Sequence, residues 1–495
     1  MNYQNPIIKG FYPDPSICRV GDTFYLVNST FQYLPGIPIF KSQDLVNWQQ
    51  IGHCLTRPSQ IEMKGVECSL GIFAPTLRFY QGKFYLITTN ITKGNFIISA
   101  TNPAETWSDP IFVNIPGIDP SFFFENERVY LQYAHEAAIW QVEINIETGA
   151  LLSEPKIITL GSGGRDVEGP HLYRIQDYYY LLTAEGGTRE GHMITLRRGT
   201  SIWGPFEECP HNPILTNRNQ PSQLLQNVGH GDLVEDSQGH WWLVALGVRS
   251  VNLKHHLGRE TILMPVTWDE AGWPVVGKGF AEINIEATLP QANLQLKPTL
   301  QRDDFDSDPL SLKWNSLREF IDDQYSLTER PGFLTLKASQ ASLNDLGKVC
   351  FLGRRQQDFK CEVLTKMEFN SEKANEEAGL TVYGDRNHRF DLCLREDKVV
   401  LRKKSLDIVA ETEANAHGNQ IVYFKILANQ LSYQFFYSFN NIDYLSIGET
   451  YTKHLATEVI NAPFTGVYLG IYCTGNGYET QAKAYFDYFI YESQE

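Results

Sequence analysis

The sequence predicts an all-β protein in which a five-bladed β-propeller precedes a β-sandwich. Short runs rich in Tyr, Phe, Val and Ile, separated by turns of Gly, Asn, Asp and Pro, dominate the 495-residue chain. A hairpin pattern recurs five times over residues 1–285, and closely spaced alternating runs follow residue 302. The chain is also too long for a single hydrophobic core, so more than one domain is expected.

Each copy of the repeat joins two strand-like runs through a polar turn. When the copies are aligned, positions 15, 75, 120, 170 and 232 fall in one column. Ten residues after each of them stands an aromatic residue, at 25, 85, 130, 180 and 242. The copies are 60, 45, 50 and 62 residues apart, which leaves room for two further strands in each. Repeats of about 50 residues with four strands are typical of propeller blades. Ordinary hairpins in a sandwich would not need to share one register.

The first strand of each predicted blade lines the central axis. The residues of one column would therefore form a ring at one mouth of that axis, and they are Asp14, Ala74, Asp119, Gly169 and Gly231. The acids in this ring would face one another across a cavity, and the small residues would leave room for a ligand.

The last part of the chain has a different pattern. Residues 286–301 are predicted to be a linker, and residues 302–495 a C-terminal β-sandwich, because alternating runs such as 333–337 and 484–489 are separated by short turns. Residues 1–285 are the predicted catalytic propeller.

Composition excludes several classes of function. The net charge is −16 and there is no long run of Lys or Arg, which argues against nucleic acid and against an anionic membrane surface. The eight cysteines form no C-x-x-C pair, and most are expected to be buried thiols of a reducing compartment. The first residues do not resemble a signal peptide, and no apolar run approaches the ~20 residues of a membrane span. These features predict a cytoplasmic protein.

Three carboxylates are the candidates for chemistry. Asp14, Asp119 and Glu168 lie in or beside the repeated column of three different blades. Each alone has a structural explanation, since Asp before Pro is a frequent turn residue. Together they suit glycoside hydrolysis, which needs one protonated and one ionised carboxyl group. Crowding of carboxylates raises the pKa of one of them.

Four motifs carry a resemblance to a known family: YPDPS at 12–16, GIDPS at 117–121, EGPH at 168–171 and LGRET at 257–261. Over nearly its whole length the chain resembles glycoside hydrolase family 43, the β-xylosidase and α-L-arabinofuranosidase group. The resemblance implies an inverting mechanism. Asp14 would be the general base, Glu168 the general acid, and Asp119 the residue that orients the acid and tunes its pKa. The two working carboxyls would stand about 6.5–9.5 Å apart.

The resemblance also suggests binding residues. Arg259 is similar to the family's substrate-binding arginine; otherwise it would form a surface ion pair with Glu260. His230 is similar to an axial histidine near a central water or ion site; otherwise it is a core histidine. Some members carry calcium there, so His230 is a candidate metal ligand for a calcium ion in the central cavity. No other cofactor is required.

Aromatic residues complete the predicted pocket. Phe31 is a candidate for stacking on the terminal sugar, and Phe73 stands where the family usually has Trp. Packing under a blade is the alternative for both. In relatives the C-terminal domain can wall the pocket, and the segment at 474–478 is the candidate here.

The function predicted is that of an exo-acting β-1,4-xylosidase on short xylo-oligosaccharides. An α-L-arabinofuranosidase acting on arabinose-substituted oligosaccharides, or dual activity, is the near alternative, and a homo-oligomer would be unsurprising. A non-catalytic carbohydrate-binding propeller or an interaction propeller would not explain the three acids. A fructosidase-like retaining enzyme would carry W-M-N-D-P-N and R-D-P motifs, which are absent from the sequence.

Overall fold

The computed structural model describes residues 2–291, 301–460 and 464–494. Within them, the first part of the chain forms five four-stranded antiparallel sheets. The first strands of these sheets contact one another in cyclic order and so close a ring, as in a propeller. The sheets are called blades one to five in chain order.

All five predicted hairpins form the first two strands of a blade. The strands are Ser16–Val20, Thr23–Val27, Gly36–Ser42 and Gln49–Leu55 in blade one; Thr76–Tyr80, Lys83–Asn90, Gly94–Ala100 and Ile111–Val113 in blade two; Ile118–Glu125, Arg128–His135, Ala138–Ile144 and Lys156–Thr159 in blade three; Glu168–Ile175, Tyr178–Glu185, Met193–Gly199 and Glu207–Glu208 in blade four; and Leu225–Glu235, Trp241–Arg249, Glu260–Trp268 and Pro274–Val276 in blade five. A short strand at Asn2–Gln4 pairs with Asn284–Glu286 and ties the two ends of the propeller together.

The register of the first strands corrects one member of the predicted ring. Blades three, four and five share a bulge in which Ile118, Glu168 and Gly229 occupy one equivalent position. The residue that follows this position belongs to the ring, and it is Asp119 in blade three, Gly169 in blade four and His230 in blade five. The ring member from blade five is thus His230, and the prediction of Gly231 was wrong. Blade five has one extra residue between equivalent paired positions, because Val234 pairs with Trp242 eight positions later, whereas Phe123 of blade three pairs with Tyr130 seven positions later. A fixed count back from the aromatic residue therefore lands one position late.

The second part of the chain forms a sandwich of two large sheets. The eight-stranded sheet contains Arg302–Asp303, Tyr325–Ser326, Leu334–Lys337, Cys361–Phe369, Ile421–Ala428, Ser432–Ser438, Leu445–Tyr451 and Lys483–Ser493. The six-stranded sheet contains Phe351–Arg355, Glu377–Asp385, His388–Arg395, Lys398–Ser405, Ile408–Asn415 and Tyr468–Thr474. Burial alternates strictly along Cys361–Phe369, as expected for a strand with one face on the core. A 3-10 turn, Thr452–Leu455, and a short helix, Thr457–Ile460, precede the strand Tyr468–Thr474.

Propeller and sandwich are joined by backbone pairing and buried side chains. Tyr33–Leu34 pairs with Ser316–Leu317 across the two parts. The rings of Tyr33 and Tyr468 stack with centroids 3.8 Å apart, and Arg355 Nε donates to the carbonyl of Phe11 at 2.7 Å. Of the predicted linker 286–301, residues 292–300 lie outside the described residues.

The cysteines agree with the expectation that most of them are buried. All eight cysteines are free thiols, and seven of them are buried. Among the described residues, no helix has the length and apolar character needed to cross a membrane.

Candidate active site

A cavity at one mouth of the propeller axis brings the predicted site residues together. The residues that line it are Asp14, Phe31, Phe73, Ala74, Ile118, Asp119, Glu168, Thr188, His230 and Arg259 from the propeller, and Phe464 from the sandwich. The three predicted acids and the four predicted binding residues all belong to this set. Ala74 is the small residue of the ring that faces the cavity.

The ring residues share an unusual backbone conformation. Asp14, Asp119 and His230 have φ values of 50°, 53° and 46°, and Gly169 has 55°. L-residues other than Gly seldom adopt this left-handed region, so its recurrence in four blades is a built feature of the propeller. In blade four the ring position is a glycine, and the acid, Glu168, comes one residue earlier.

A glycine is required at this position for a second reason. A Cβ added to Gly169 would lie 3.1 Å from the ring of His230. Any larger residue would press on the histidine that lines the cavity. The motif EGPH thus combines a carboxyl group with a backbone that leaves space for its neighbour.

Asp14 is surrounded by groups that favour its ionised form. Arg259 Nη1 donates to Oδ1 at 2.8 Å, and Nη2 donates to Oδ2 at 3.2 Å. Ser29 Oγ donates to Oδ2 at 2.5 Å, and His230 Nδ1 lies 3.8 Å from Oδ1. Burial acts to raise the pKa of Asp14, but Arg259, His230 and Ser29 together bring it below its ordinary value. Asp14 is therefore a carboxylate at neutral pH.

Glu168 has the opposite environment. Burial raises its pKa well above the ordinary value, and the negative charges of Asp119 and Asp14 raise it further. Burial also raises the pKa of Asp119, whose Oδ2 accepts a hydrogen bond from the Gly169 amide at 3.2 Å. One cavity therefore holds two carboxyl groups whose pKa values are displaced in opposite directions, an arrangement that suits glycoside hydrolysis.

Arg259 belongs to the cavity and does not pair with its sequence neighbour. Besides Asp14, it donates to Thr188 Oγ1 at 3.3 Å and to the carbonyl of Phe464 at 3.4 Å. Glu260 instead forms an ion pair with Arg249 at 2.8 Å. The alternative of a surface ion pair between Arg259 and Glu260 was therefore wrong.

An aromatic wall closes one side of the cavity. Phe31 and Phe464 stack with ring centroids 5.5 Å apart and an interplanar angle of 17°. Phe73 contacts both rings, at 5.2 Å and 5.9 Å. The Arg259 guanidinium lies 5.2 Å from the Phe464 ring centroid, within cation–π range. The sandwich thus contributes directly to the site.

The segment predicted to supply that wall does not reach the cavity. Gly475 and Gly477 accept hydrogen bonds from Asn375 and Gln340 of the sandwich, and Tyr478 is 65% exposed. The wall residue is Phe464, from a different connection. Phe464 lies outside the propeller repeat, so the sequence held no signal for it. Thr188 and Ser29 lie in the propeller but outside the repeated column and the four motifs.

The central axis does not fit a calcium ion. Asp232 lies deeper on the axis, where Arg78 donates to both of its oxygens at 2.8 Å and 3.0 Å, and His171 Nδ1 lies 2.9 Å from Arg78 Nη2. This guanidinium already neutralises the axial carboxylate, and His230 offers nitrogen, whereas calcium takes six to eight oxygen ligands. Among the described residues, no group of three or more His, Cys, Asp or Glu side chains is placed to hold a metal ion. No step of the reaction is therefore derived through a metal.

Sequence comparison identifies the family. The profile of "Glycosyl hydrolases family 43" matches residues 3–274, and that of "Beta xylosidase C-terminal Concanavalin A-like domain" matches residues 302–492. The chain belongs to glycoside hydrolase family 43. The family resemblance inferred from the four motifs is confirmed, and with it an all-β glycoside hydrolase with a C-terminal sandwich.

Several family 43 relatives cover nearly the whole chain. It is 41% identical to "Non-reducing end alpha-L-arabinofuranosidase BoGH43B" of Bacteroides ovatus, over 98% of this chain and 94% of the relative. It is 33% identical to "Beta-xylosidase" of Bacillus subtilis, over the full length of both. The solved structure of a xylan β-1,4-xylosidase from Bacillus halodurans superposes with a TM-score of 0.95 at 35% identity, over 99% of this chain and 100% of that one.

Proposed function

We propose that this family 43 enzyme removes single pentose units from the non-reducing ends of short oligosaccharides by an inverting mechanism. The observation that carries the proposal is the opposite displacement of two pKa values in one cavity, that of Asp14 downward and that of Glu168 upward. The surroundings of the two groups thus indicate their roles, with Asp14 as the base and Glu168 as the acid. The relatives named as xylosidase and arabinofuranosidase supply the substrate class.

In the proposed reaction, the Asp14 carboxylate accepts a proton from a water molecule, whose oxygen bonds to the anomeric carbon. The glycosidic bond breaks as Glu168 gives its proton to the departing oxygen. Asp119 acts through Glu168, because its charge helps that group keep its proton. The reaction uses side chains of the protein alone, and no cofactor enters it.

Arg259 has two tasks in this proposal. Its guanidinium keeps Asp14 ionised, and its donors lie at the cavity where they could hold a sugar hydroxyl. Phe31, Phe73 and Phe464 offer apolar faces for the sugar ring. With Phe464 as a wall, the cavity suits the end of a chain, which supports exo-action on short oligosaccharides.

Two pentoses are candidates for the preferred sugar. We favour β-1,4-linked xylose, because xylosidases recur among the full-length relatives. The 41% identity to an α-L-arabinofuranosidase favours arabinose as the second candidate, and dual activity would join the two. A cytoplasmic location, where only short imported fragments would be available, remains a prediction, as does a homo-oligomeric state.

The roles of the two acids are separable with two kinds of substrate. Glu168→Ala should lose roughly a hundredfold or more of kcat on xylobiose but far less on 4-nitrophenyl β-D-xyloside, whose leaving group needs little protonation. Asp14→Ala should lose activity on both. Asp109→Ala, at an exposed carboxylate paired with Arg57, is the matched control and should behave as wild type. Equal losses on both substrates for Glu168→Ala would remove it as the acid.

A further inference from the structure

A second cavity lies between the propeller and the sandwich and shares no lining residue with the active site. Its volume is about 480 Å³, which is within the range of small-molecule sites. Lys9 and Trp48 line it from the propeller, and Lys313, Arg354 and Asp358 line it from the sandwich. This cavity is called the interdomain crevice.

Arg354 is a buried cation that no carboxylate contacts. It is 5% exposed, and among the described residues its guanidinium has no side-chain hydrogen bond and no carboxylate within ion-pair distance. The charge of Asp303 acts on it without contact. Its neighbours are the rings of Trp314, Phe489 and Tyr491, with centroids 5.7–6.0 Å away. Burial lowers the pKa of Arg354, as expected for a charge that is removed from water.

Two carboxylates in this region, Asp303 and Asp358, have other hydrogen-bond partners. Asp303 accepts hydrogen bonds from Trp314 Nε1 at 2.8 Å and from the Phe305 amide at 3.1 Å. Asp358 accepts a hydrogen bond from Lys9 Nζ at 2.9 Å. The charge of Asp303 acts on Arg354 from a distance, but neither carboxylate contacts the guanidinium.

Lys313 adds a second unpaired charge to the crevice. Within the described part of the chain, no carboxylate lies within ion-pair distance of its Nζ. Burial, and to a smaller extent the charge of Arg354, lowers the pKa of Lys313 to about 8. Lys9, Lys313 and Arg354 therefore face a single lining carboxylate, Asp358. The crevice has an excess of positive charge in a protein whose net charge is −16.

We propose that the interdomain crevice binds a small oxyanion, the carboxylate of a sugar acid or a phosphate group. Arg354 would supply a planar pair of donors and Lys313 the second charge. A bound oxyanion would supply the acceptors that the buried guanidinium lacks, which offsets the cost of its desolvation. Trp48, half-buried at the edge of the crevice, offers an apolar face to the remainder of the ligand. The inference does not depend on the proposed function.

Isothermal titration calorimetry with D-glucuronate, inorganic phosphate and neutral D-glucose tests this site. The wild-type protein should bind at least one of the two anions saturably and should not bind D-glucose in the same way. Arg354→Met should weaken that binding by about tenfold or more, and Lys313→Met should weaken it by a smaller factor. Arg128→Met, at a cation on the hairpin of blade three that is 64% exposed, is the matched control and should bind as wild type. The anion that binds shows whether the crevice takes the carboxylate of a sugar acid or a phosphate group.

Thermal unfolding provides a second measurement. The anion that binds should raise the Tm of the wild-type protein but not that of Arg354→Met. Activity on 4-nitrophenyl β-D-xyloside should be the same in both proteins, because the crevice is separate from the active site. Undiminished binding by Arg354→Met, or no binding of either anion by wild type, would overturn the proposal. If Arg354→Met does not fold, unchanged binding by Lys313→Met would overturn it in the same way.

Discussion

Asp14 and Glu168 line the same cavity, yet their surroundings displace their proton affinities in opposite directions. Arg259 and His230 stabilise the charge on Asp14, whereas burial, Asp119 and Asp14 itself oppose a charge on Glu168. Because the two groups interact, their titration belongs to the cluster as a whole. In the proposed mechanism, activity needs Asp14 deprotonated and Glu168 protonated, so kcat/KM should fall on both sides of a pH optimum.

The alkaline side of that profile tests the part played by Asp119. Asp119→Asn removes a negative charge that raises the pKa of Glu168, so the pKa of Glu168 should fall and the alkaline limb should move to lower pH. The measurement is the pH profile of kcat/KM on xylobiose for both proteins. Asp166→Asn is the control, because Asp166 is 53% exposed and is the least of the causes that shift Glu168. An unmoved alkaline limb in Asp119→Asn would show that Asp119 does not tune the acid.

At the scale of single elements, the bulge at the start of the blade strands positions the site. In blades three, four and five it coincides with the left-handed backbone of Asp119, Gly169 and His230, and it places Glu168 one residue before the ring. In blade three the residue equivalent to Glu168 is Ile118, which also lines the cavity. The same bulge thus presents an acid either from the ring position, as with Asp119, or from the residue before it, as with Glu168.

Gly169→Ala tests this element with a matched control. Both Gly169 and Gly21 have left-handed backbones, with φ values of 55° and 60°, but only at Gly169 would a Cβ meet a neighbour, the His230 ring. Either substitution should cost about 1–2 kcal/mol of unfolding free energy from backbone strain. Only Gly169→Ala should also lower kcat, through displacement of His230 and Glu168. Urea denaturation and steady-state kinetics measure the two effects. Full activity in Gly169→Ala would contradict the assigned packing.

The five hairpins were predictable because a repeat fixes its own register. Each copy showed a strand, a polar turn and an aromatic strand, and the structure contains all five. The extra residue in blade five broke the fixed spacing, so Gly231 was placed in the ring. The family resemblance alone identified His230 as a site residue. A fixed spacing between motifs cannot reveal an insertion within a turn.

At the scale of the whole molecule, the active site depends on both domains. The acids were predictable because they lie in or beside a repeated column of the propeller, and Arg259 because its motif at 257–261 resembles that of the family. Phe464 was not, because contacts between domains follow from packing that no local pattern records. The joint formed by Tyr33, Tyr468 and Arg355 holds the sandwich in the position from which Phe464 completes the wall.

Phe464→Ala tests the contribution of the sandwich. Loss of the ring should raise KM for xylobiose by about tenfold, since burial of an aromatic face is worth a few kcal/mol at most and the sugar covers only part of it. Tyr478→Ala, in the segment first predicted to form the wall, is the control and should leave KM unchanged. A KM that rises in Tyr478→Ala but not in Phe464→Ala would reverse the assignment.

The most direct test of the central claim is the anomeric configuration of the first product. Proton NMR during hydrolysis of 4-nitrophenyl β-D-xyloside would follow the sugar as it is released, before mutarotation. Water activated by Asp14 attacks the face opposite the leaving group, so α-xylose should form first. Initial release of β-xylose would mean retention through a covalent intermediate, and it would contradict the assignment of Asp14 as a base and Glu168 as a single-step acid.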